Sequence, residues 1–133
     1  MRYLVDSDWI IDATIGIPGA VTTLNRLRID GLAVSVVAVG ELYEGVHSAA
    51  DPVAALASLR LFLTGYVILD LTEPIADVFA RTRASLRRQG NLIQDLDLLI
   101  AATAIRHDLE LVTRNRRHFE RIPRLKLYEP DNT

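Results

Sequence analysis

Residues 91–104 read NLIQDLDLLIAATA, and the way Asp95 and Asp97 enter this apolar run decides how the chain is read. The spacing predicts a helix over 95–106. On a helix, side chains two positions apart lie roughly 200° from each other, so only one of these carboxylates can look inward. Asp97 has Ile100, Ala101 and Ala104 at offsets of three, four and seven, which puts it on the buried stripe, whereas Asp95 suits an N-cap or near-cap position. A buried carboxylate is unfavourable unless it is paired, hydrogen-bonded or bound to a cation.

Outward from this helix, strand and helix patterns alternate. YLVD (3–6) is a short apolar strand ending on Asp6, and SDWIIDATI (7–15) follows with helical spacing, with Ser7 or Asp8 available as its cap. Residues 20–30 read as a helix closed by Gly31, LAVSV (32–36) as a second strand, and 37–49 as a helix carrying Glu41 above an inner face of Val39, Leu42, Tyr43 and Val46. Asp51 and Pro52 open the apolar helix 53–63, which Gly65 ends. YVILD (66–70) is a third strand, Thr72 caps a helix over 73–89 that stops at Gly90, LELVT (109–113) is the fourth strand and LKLYE (125–129) an edge strand. This alternation predicts an α/β fold, a three-layer sandwich with a mostly parallel central sheet of four to five strands flanked by helices.

A chain of 133 residues is long enough to bury a core without staples, and one domain over 1–133 is expected. Half the residues are apolar and 24% are charged, which excludes a disordered chain. A mean hydropathy of +0.19 suggests an apolar face kept for a partner or a second copy. Cysteine is absent, which removes disulfides, thiolate nucleophiles and sulfur-based zinc sites and fits a reducing cytosol. No apolar stretch reaches the length of a membrane span before a charge interrupts it, so a soluble, cytoplasmic protein is expected. The net charge is −2, yet residues 1–75 hold nine acids and four bases while residues 76–133 hold eight acids and eleven bases. Fourteen of the fifteen basic residues are arginine, and nine of these cluster at 81–88 and 114–124. The planar guanidinium suits bidentate phosphate contact, although such runs are also ordinary solvated faces.

In open parallel sheets ligands bind beyond the carboxyl ends of the strands, where chain direction diverges. Asp6 stands at one such end, Thr113, Arg114 and Asn115 follow another, and Asp97 opens a helix whose loop edge can face the same rim. Asp6, Glu41 and Asp97 thus come from three elements that can converge on one point. Like charges 4 Å apart repel by about 4 kcal/mol at an effective dielectric near 20, so such a cluster needs a neutralising ion. An oxygen donor set without thiolates selects Mg²⁺ or Mn²⁺ over zinc. Each residue also has a plainer use: Asp6 as a helix cap, Glu41 as a solvent-facing acid rivalled by Glu44, Asp12 as a solvent-facing residue, Trp9 as core, and His47, His107 and His118 as surface or helix-end groups.

Taken together, LVDSDWII, AVGELYEGV and DLDLLIAATAIRHDLELVTRNRRHF resemble the PIN domain, and in particular the ribonuclease toxins of bacterial VapBC toxin–antitoxin pairs. The resemblance runs from Tyr3 to about Leu127. It implies a Mg²⁺-dependent endoribonuclease in which Asp6 and Asp97 ligate the metal and Glu41 completes the cluster directly or through water. Ser7, Thr113, Asn115 and Asp95 would support them, and Arg114, Arg116 and Arg117 would hold RNA phosphates. It also implies a cognate antitoxin partner, whose C-terminal segment covers the groove, and a homodimer. The family often carries a fourth acid after the TRN motif, where this chain has Asn115 and His118, which leaves the number of metal ions open. Two rival readings exist. The Asp6-Ser7-Asp8 segment is similar to the phosphotransfer motif of haloacid-dehalogenase-like phosphatases, which need a lysine near the aspartyl group, and Lys126 is the only one. A non-catalytic PIN-like interaction module would keep the fold and use the groove only to hold a partner.

Overall fold

Three-residue apolar strands are too short to stand alone, and here the central ones persist because they are covered on both faces. In the computed structural model, which describes residues 1–130, Leu4, Val5, Ala33, Val34, Leu111 and Val112 have no solvent exposure at all. The last three positions of the single domain expected over 1–133 lie outside the described residues. Strands β1 (Tyr3–Val5), β2 (Leu32–Ser35), β3 (Val67–Leu69), β4 (Glu110–Val112) and β5 (Lys126–Leu127) form one sheet in the order β3-β2-β1-β4-β5. Every pairing is parallel, as buried, apolar strands joined by helical crossovers dictate.

Seven helices among the described residues flank the sheet: α1 (Ser7–Thr14), α2 (Pro18–Leu27), α3 (Val36–His47), α4 (Pro52–Leu63), α5 (Glu73–Arg88), α6 (Asp95–His107) and α7 (Arg116–Phe119). Local chemistry sets most of their ends. Asp51 caps α4 through Ala54 N–H, with Pro52 at the first helical position, and the Thr72 hydroxyl accepts from Ile75 N–H at the start of α5. Asp108, at φ 56°, closes α6 in the left-handed conformation. The apolar α4 divides its side chains, burying Leu59 and Leu63 while leaving Val53 and Leu61 in solvent.

Several boundaries differ from the sequence reading. The helix expected over 20–30 starts at Pro18 and gives way to a 3₁₀ turn at Arg28–Asp30. The strand expected over 66–70 pairs only through Val67–Leu69, because it lies at the sheet edge with Val67 and Ile68 exposed. That expected over 125–129 pairs only at two residues, on the opposite edge. Helix α7 was not expected, since it is a single turn with no side-chain cap to mark it.

Gly31 turns the chain into β2 at φ +88°, and its amide-linked neighbours tie the N-terminus down: Arg2 and Tyr3 both donate to the Gly31 carbonyl at 3.2 Å. A Cβ at this position would sit 2.8 Å from the Met1 Cα. Gly31→Ala should therefore combine a forbidden backbone conformation with a backbone clash and lower unfolding free energy by about 1–3 kcal/mol. Urea denaturation measures this; an unchanged midpoint would show that the turn is not strained.

Candidate functional site

The site begins with strand register. β1 and β4 pair in parallel with Val5 opposite Val112, so the next residues, Asp6 and Thr113, leave the sheet side by side at its carboxyl end. The Asp6 amide donates to the Val112 carbonyl at 2.9 Å, and the Thr113 hydroxyl donates to Asp6 Oδ2 at 2.8 Å. Asp6 Oδ1 accepts from the Ser7 amide at 2.8 Å, which makes Asp6 the N-cap of α1, the plainer use the sequence had allowed it, in place of Ser7 or Asp8. Its carboxylate thus has two hydrogen bonds, 7% exposure, and no cationic partner among the described residues.

Glu41 arrives from α3, whose start is fixed by the Ser35 hydroxyl accepting from Val37 N–H. The Ser7 hydroxyl donates to Glu41 Oε1 at 3.3 Å, so the residue after Asp6 links the two acids. Glu44, the rival acid, is exposed. Asp97 lies in the first turn of α6 with its side chain only 17% exposed, above fully buried Ile100, Ala101 and Ala104. Asp95 points away, is exposed, and pairs with Arg83 at 2.9 Å; it is not brought to the acidic rim. The cap position before α6 belongs to Gln94, with no side-chain hydrogen bond.

Electrostatics link Glu41 to both of the other acids. Burial, followed by the Asp8 carboxylate, pushes Asp6 up to about 6 from its ordinary 3.8, against the opposing hydrogen bonds from Thr113 and Ser7, and Glu41 adds to the rise. Burial also raises Glu41, the Ser7 hydroxyl opposes it, and Asp97, Asp8 and Glu44 push it further. None of Asp6, Glu41 and Asp97 is paired with an arginine among the described residues. These oxygen donors fit a hard divalent cation. Among the described residues no three His, Asp or Glu side chains are gathered closely enough to chelate an ion as they stand; the acids are held by Thr113, Ser7 and His118 instead.

Sequence reasoning missed two parts of the rim. His118, read as a surface group, is carried by α7 to within 3.4 Å of Asp97 Oδ2 through Nδ1, while Asn115 Nδ2 lies 2.9 Å from the same ring nitrogen. One nitrogen cannot both donate to Asp97 and accept from the Asn115 amide, so the His118 tautomer selects between them. The second part is a strap. Asp8 Oδ2 accepts from the Arg114 backbone N–H at 2.9 Å, Arg114 Nε donates to Asp12 Oδ2 at 2.8 Å, and the guanidinium stacks 4.1 Å over the Trp9 ring. Asp12, expected to face solvent, is therefore an anchor, and Trp9 is buried as expected. Arg116 binds the Tyr128 carbonyl and Glu129, whereas Arg117 is exposed. The strap contacts join residues 106 and 102 positions apart, and no local pattern announces them.

Comparison with known proteins places this geometry in context. Residues 3–125 match the family model of the PIN domain. The ribonuclease VapC19 of Mycobacterium tuberculosis is 36% identical over 125 residues, covering 92% of this chain and 96% of that protein. The ribonuclease VapC2 of Haemophilus influenzae is 32% identical over 126 residues, covering 95% and 96%. The crystal structure of VapBC2 from Rickettsia felis bound to a DNA fragment from its promoter superposes with a TM-score of 0.91 at 29% identity, covering 98% of this chain and all of that one.

The raised carboxyl of Asp6 generates a pH-dependent expectation. The folded protein keeps this proton up to about pH 6, while the unfolded chain releases it near 3.8, so stability falls as pH rises between those values and stays lower above them. In chelator, Asp6→Asn should melt several degrees above the wild type near about pH 8 and level with it near about pH 4. A variant that melts lower at the higher pH would mean that the ionised carboxylate is a structural asset.

Proposed function

Because this chain belongs to the PIN-domain family, we propose that it is a divalent-metal-dependent endoribonuclease acting as the toxin of a toxin–antitoxin pair. The observation that carries this reading is the half-buried rim of Asp6, Glu41 and Asp97, electrostatically coupled and unpaired with arginine. Structural acids in the same region behave otherwise: Asp12 and Asp95 each have their guanidinium.

In this reading Asp6 and Asp97 hold Mg²⁺, for which Mn²⁺ can substitute, and Glu41 completes the site directly or through water. Once bound, the cation supplies activation of the attacking water and stabilisation of charge on the phosphoryl oxygens. The protein's own work is positioning. Thr113 and the Ser7 amide fix both oxygens of Asp6, and the Ser7 hydroxyl orients Glu41. His118 holds the Asp97 side of the rim in the tautomer whose Nδ1 carries the proton, and Asn115 engages the same nitrogen in the other. Arg114 keeps only Nε on Asp12, so its terminal nitrogens, with Arg117 beside it, can receive backbone phosphates; Arg116 secures the C-terminal segment. The RNA target does not follow from these residues.

A cognate antitoxin and a second copy of the chain are the proposed protein partners. Solved relatives are toxin–antitoxin assemblies, and here an apolar groove of about 360 Å³ opens between α1, α3 and α4, lined by Ile11, Ile15, Leu42, Val46 and Leu59. Ile11 and Ile15 are 46% and 68% exposed, which suits burial under a partner helix. No helix among the described residues is long and apolar enough to cross a membrane, and action on cytoplasmic RNA is proposed. The phosphatase reading lacks its lysine: Lys126 lies opposite Glu110, at the start of β4, bound to Asp108 at 2.6 Å, whereas Asp6 lies beyond the other end of the sheet.

Purified protein should cut labelled RNA with Mg²⁺ or Mn²⁺ and stop in EDTA, with Asp97→Asn and Glu41→Gln each slowing cleavage by on the order of a hundredfold. Cleavage indifferent to both chelator and substitutions would end the proposal, and binding without any cleavage would favour the non-catalytic module.

A further inference from the structure

A second feature of the surface lies away from the acidic rim. Where α5, the last turn of α6 and the Ile122–Arg124 turn meet, two adjoining clefts of about 190 and 240 Å³ share Arg81, Thr82 and Arg124, and the larger adds Arg106. No aspartate or glutamate lines either cleft. Arg81 is paired with Asp77 on its own helix, but the side chains of Arg106 and Arg124 make no hydrogen bond or ion pair among the described residues, and both are exposed. Thr82 and Ser85 add hydroxyls on the α5 side, and with Arg81 they fall on one helical face.

A cation near a helix C-terminus is ordinary dipole complementarity. That explains Arg106, which stands in the last turn of α6, but it explains neither Arg124, which comes from a non-helical turn, nor why three arginines line one concavity, two of them with no carboxylate partner among the described residues. Converging arginine forks backed by hydroxyl donors match phosphate oxygens better than they match carboxylates of a flexible peptide.

We propose that this arginine cleft is an exosite for the phosphodiester backbone of RNA, engaging the substrate away from the scissile bond. The proposal rests on the nuclease reading for its ligand class. Arg106 follows Asp97 by nine residues on α6, which separates them by about 13 Å along the helix axis and half a turn around it. That rise equals roughly four base steps of a duplex, so an RNA must extend several nucleotides beyond the acidic rim, around the side of α6, to reach the cleft. The contact sets affinity and register and leaves the chemical step alone.

The test is binding of a fluorescein-labelled RNA hairpin to the full chain in EDTA, followed by anisotropy between about 50 and 200 mM salt. Arg106→Gln with Arg124→Gln should weaken binding about five- to tenfold and flatten the slope of log K against log salt by about 1.5, two phosphate contacts' worth. Arg60→Gln, an exposed arginine on α4, serves as the control for diffuse charge and should leave the slope nearly unchanged. The proposal is overturned by an unchanged slope in the double variant, or by an equal effect of Arg60→Gln. Melting temperatures verify that every variant is folded. With cleavage followed separately in Mg²⁺, a wild type that binds through these arginines yet cuts no RNA would sink the nuclease reading alone, whereas RNA cutting with arginine-independent binding would sink only the exosite.

Discussion

The parallel pairing of β1 with β4 is the constraint on which the site depends. Its register makes Asp6 and Thr113 neighbours at the point where the sheet ends, and the 2.8 Å bond between them leaves the carboxylate almost without solvent. A central strand ending in a carboxylate at a switch point has few stable outcomes: an arginine partner, a retained proton, or a cation. No arginine partners Asp6 among the described residues, and its carboxyl is pushed up to about 6. What remains near neutral pH is a buried carboxylate with no arginine partner among the described residues, which the proposed cation would neutralise.

The surrounding acids divide by the same logic. Asp12 and Asp95 have guanidinium partners and do structural work, one fastening the loop after β4 to α1, the other joining α5 to α6. Glu41 and Asp97 are left to hydroxyl and imidazole contacts of 3.3 and 3.4 Å, long enough for either acid to exchange its partner for a stronger one. The Arg114 strap matters to this division. By placing a guanidinium on Asp12 and over Trp9, it keeps positive charge beside the rim without neutralising it. The fold thus separates arginine-paired acids from acids without an arginine within a few residues of sequence.

The layered α/β architecture was legible in the sequence because it follows from local periodicity, and Asp6, Glu41 and Asp97 were candidates there because each stands at a strand end or on a helix that the topology can bring to one rim. The roughly 200° offset between Asp95 and Asp97 correctly sent one outward to Arg83 and the other to the rim. What was not legible depends on contacts between distant segments. Asp12 looked solvent-facing because its partner lies 102 positions away. His118 looked peripheral because the single-turn α7 that aims it has no cap and no periodicity to find. Asp8, read only as a possible cap or a phosphatase acid, holds the Arg114 backbone, a use no motif encodes.

Calorimetric titration of Mn²⁺ into metal-free protein near about pH 8 bears most directly on the idea that an ion reconciles these carboxylates. Saturable binding by the wild type, abolished by Asp6→Asn and by Asp97→Asn, is the expected result. Identical isotherms for the wild type and both substituted proteins would contradict it, and would leave the acidic rim as a structural accident of strand register.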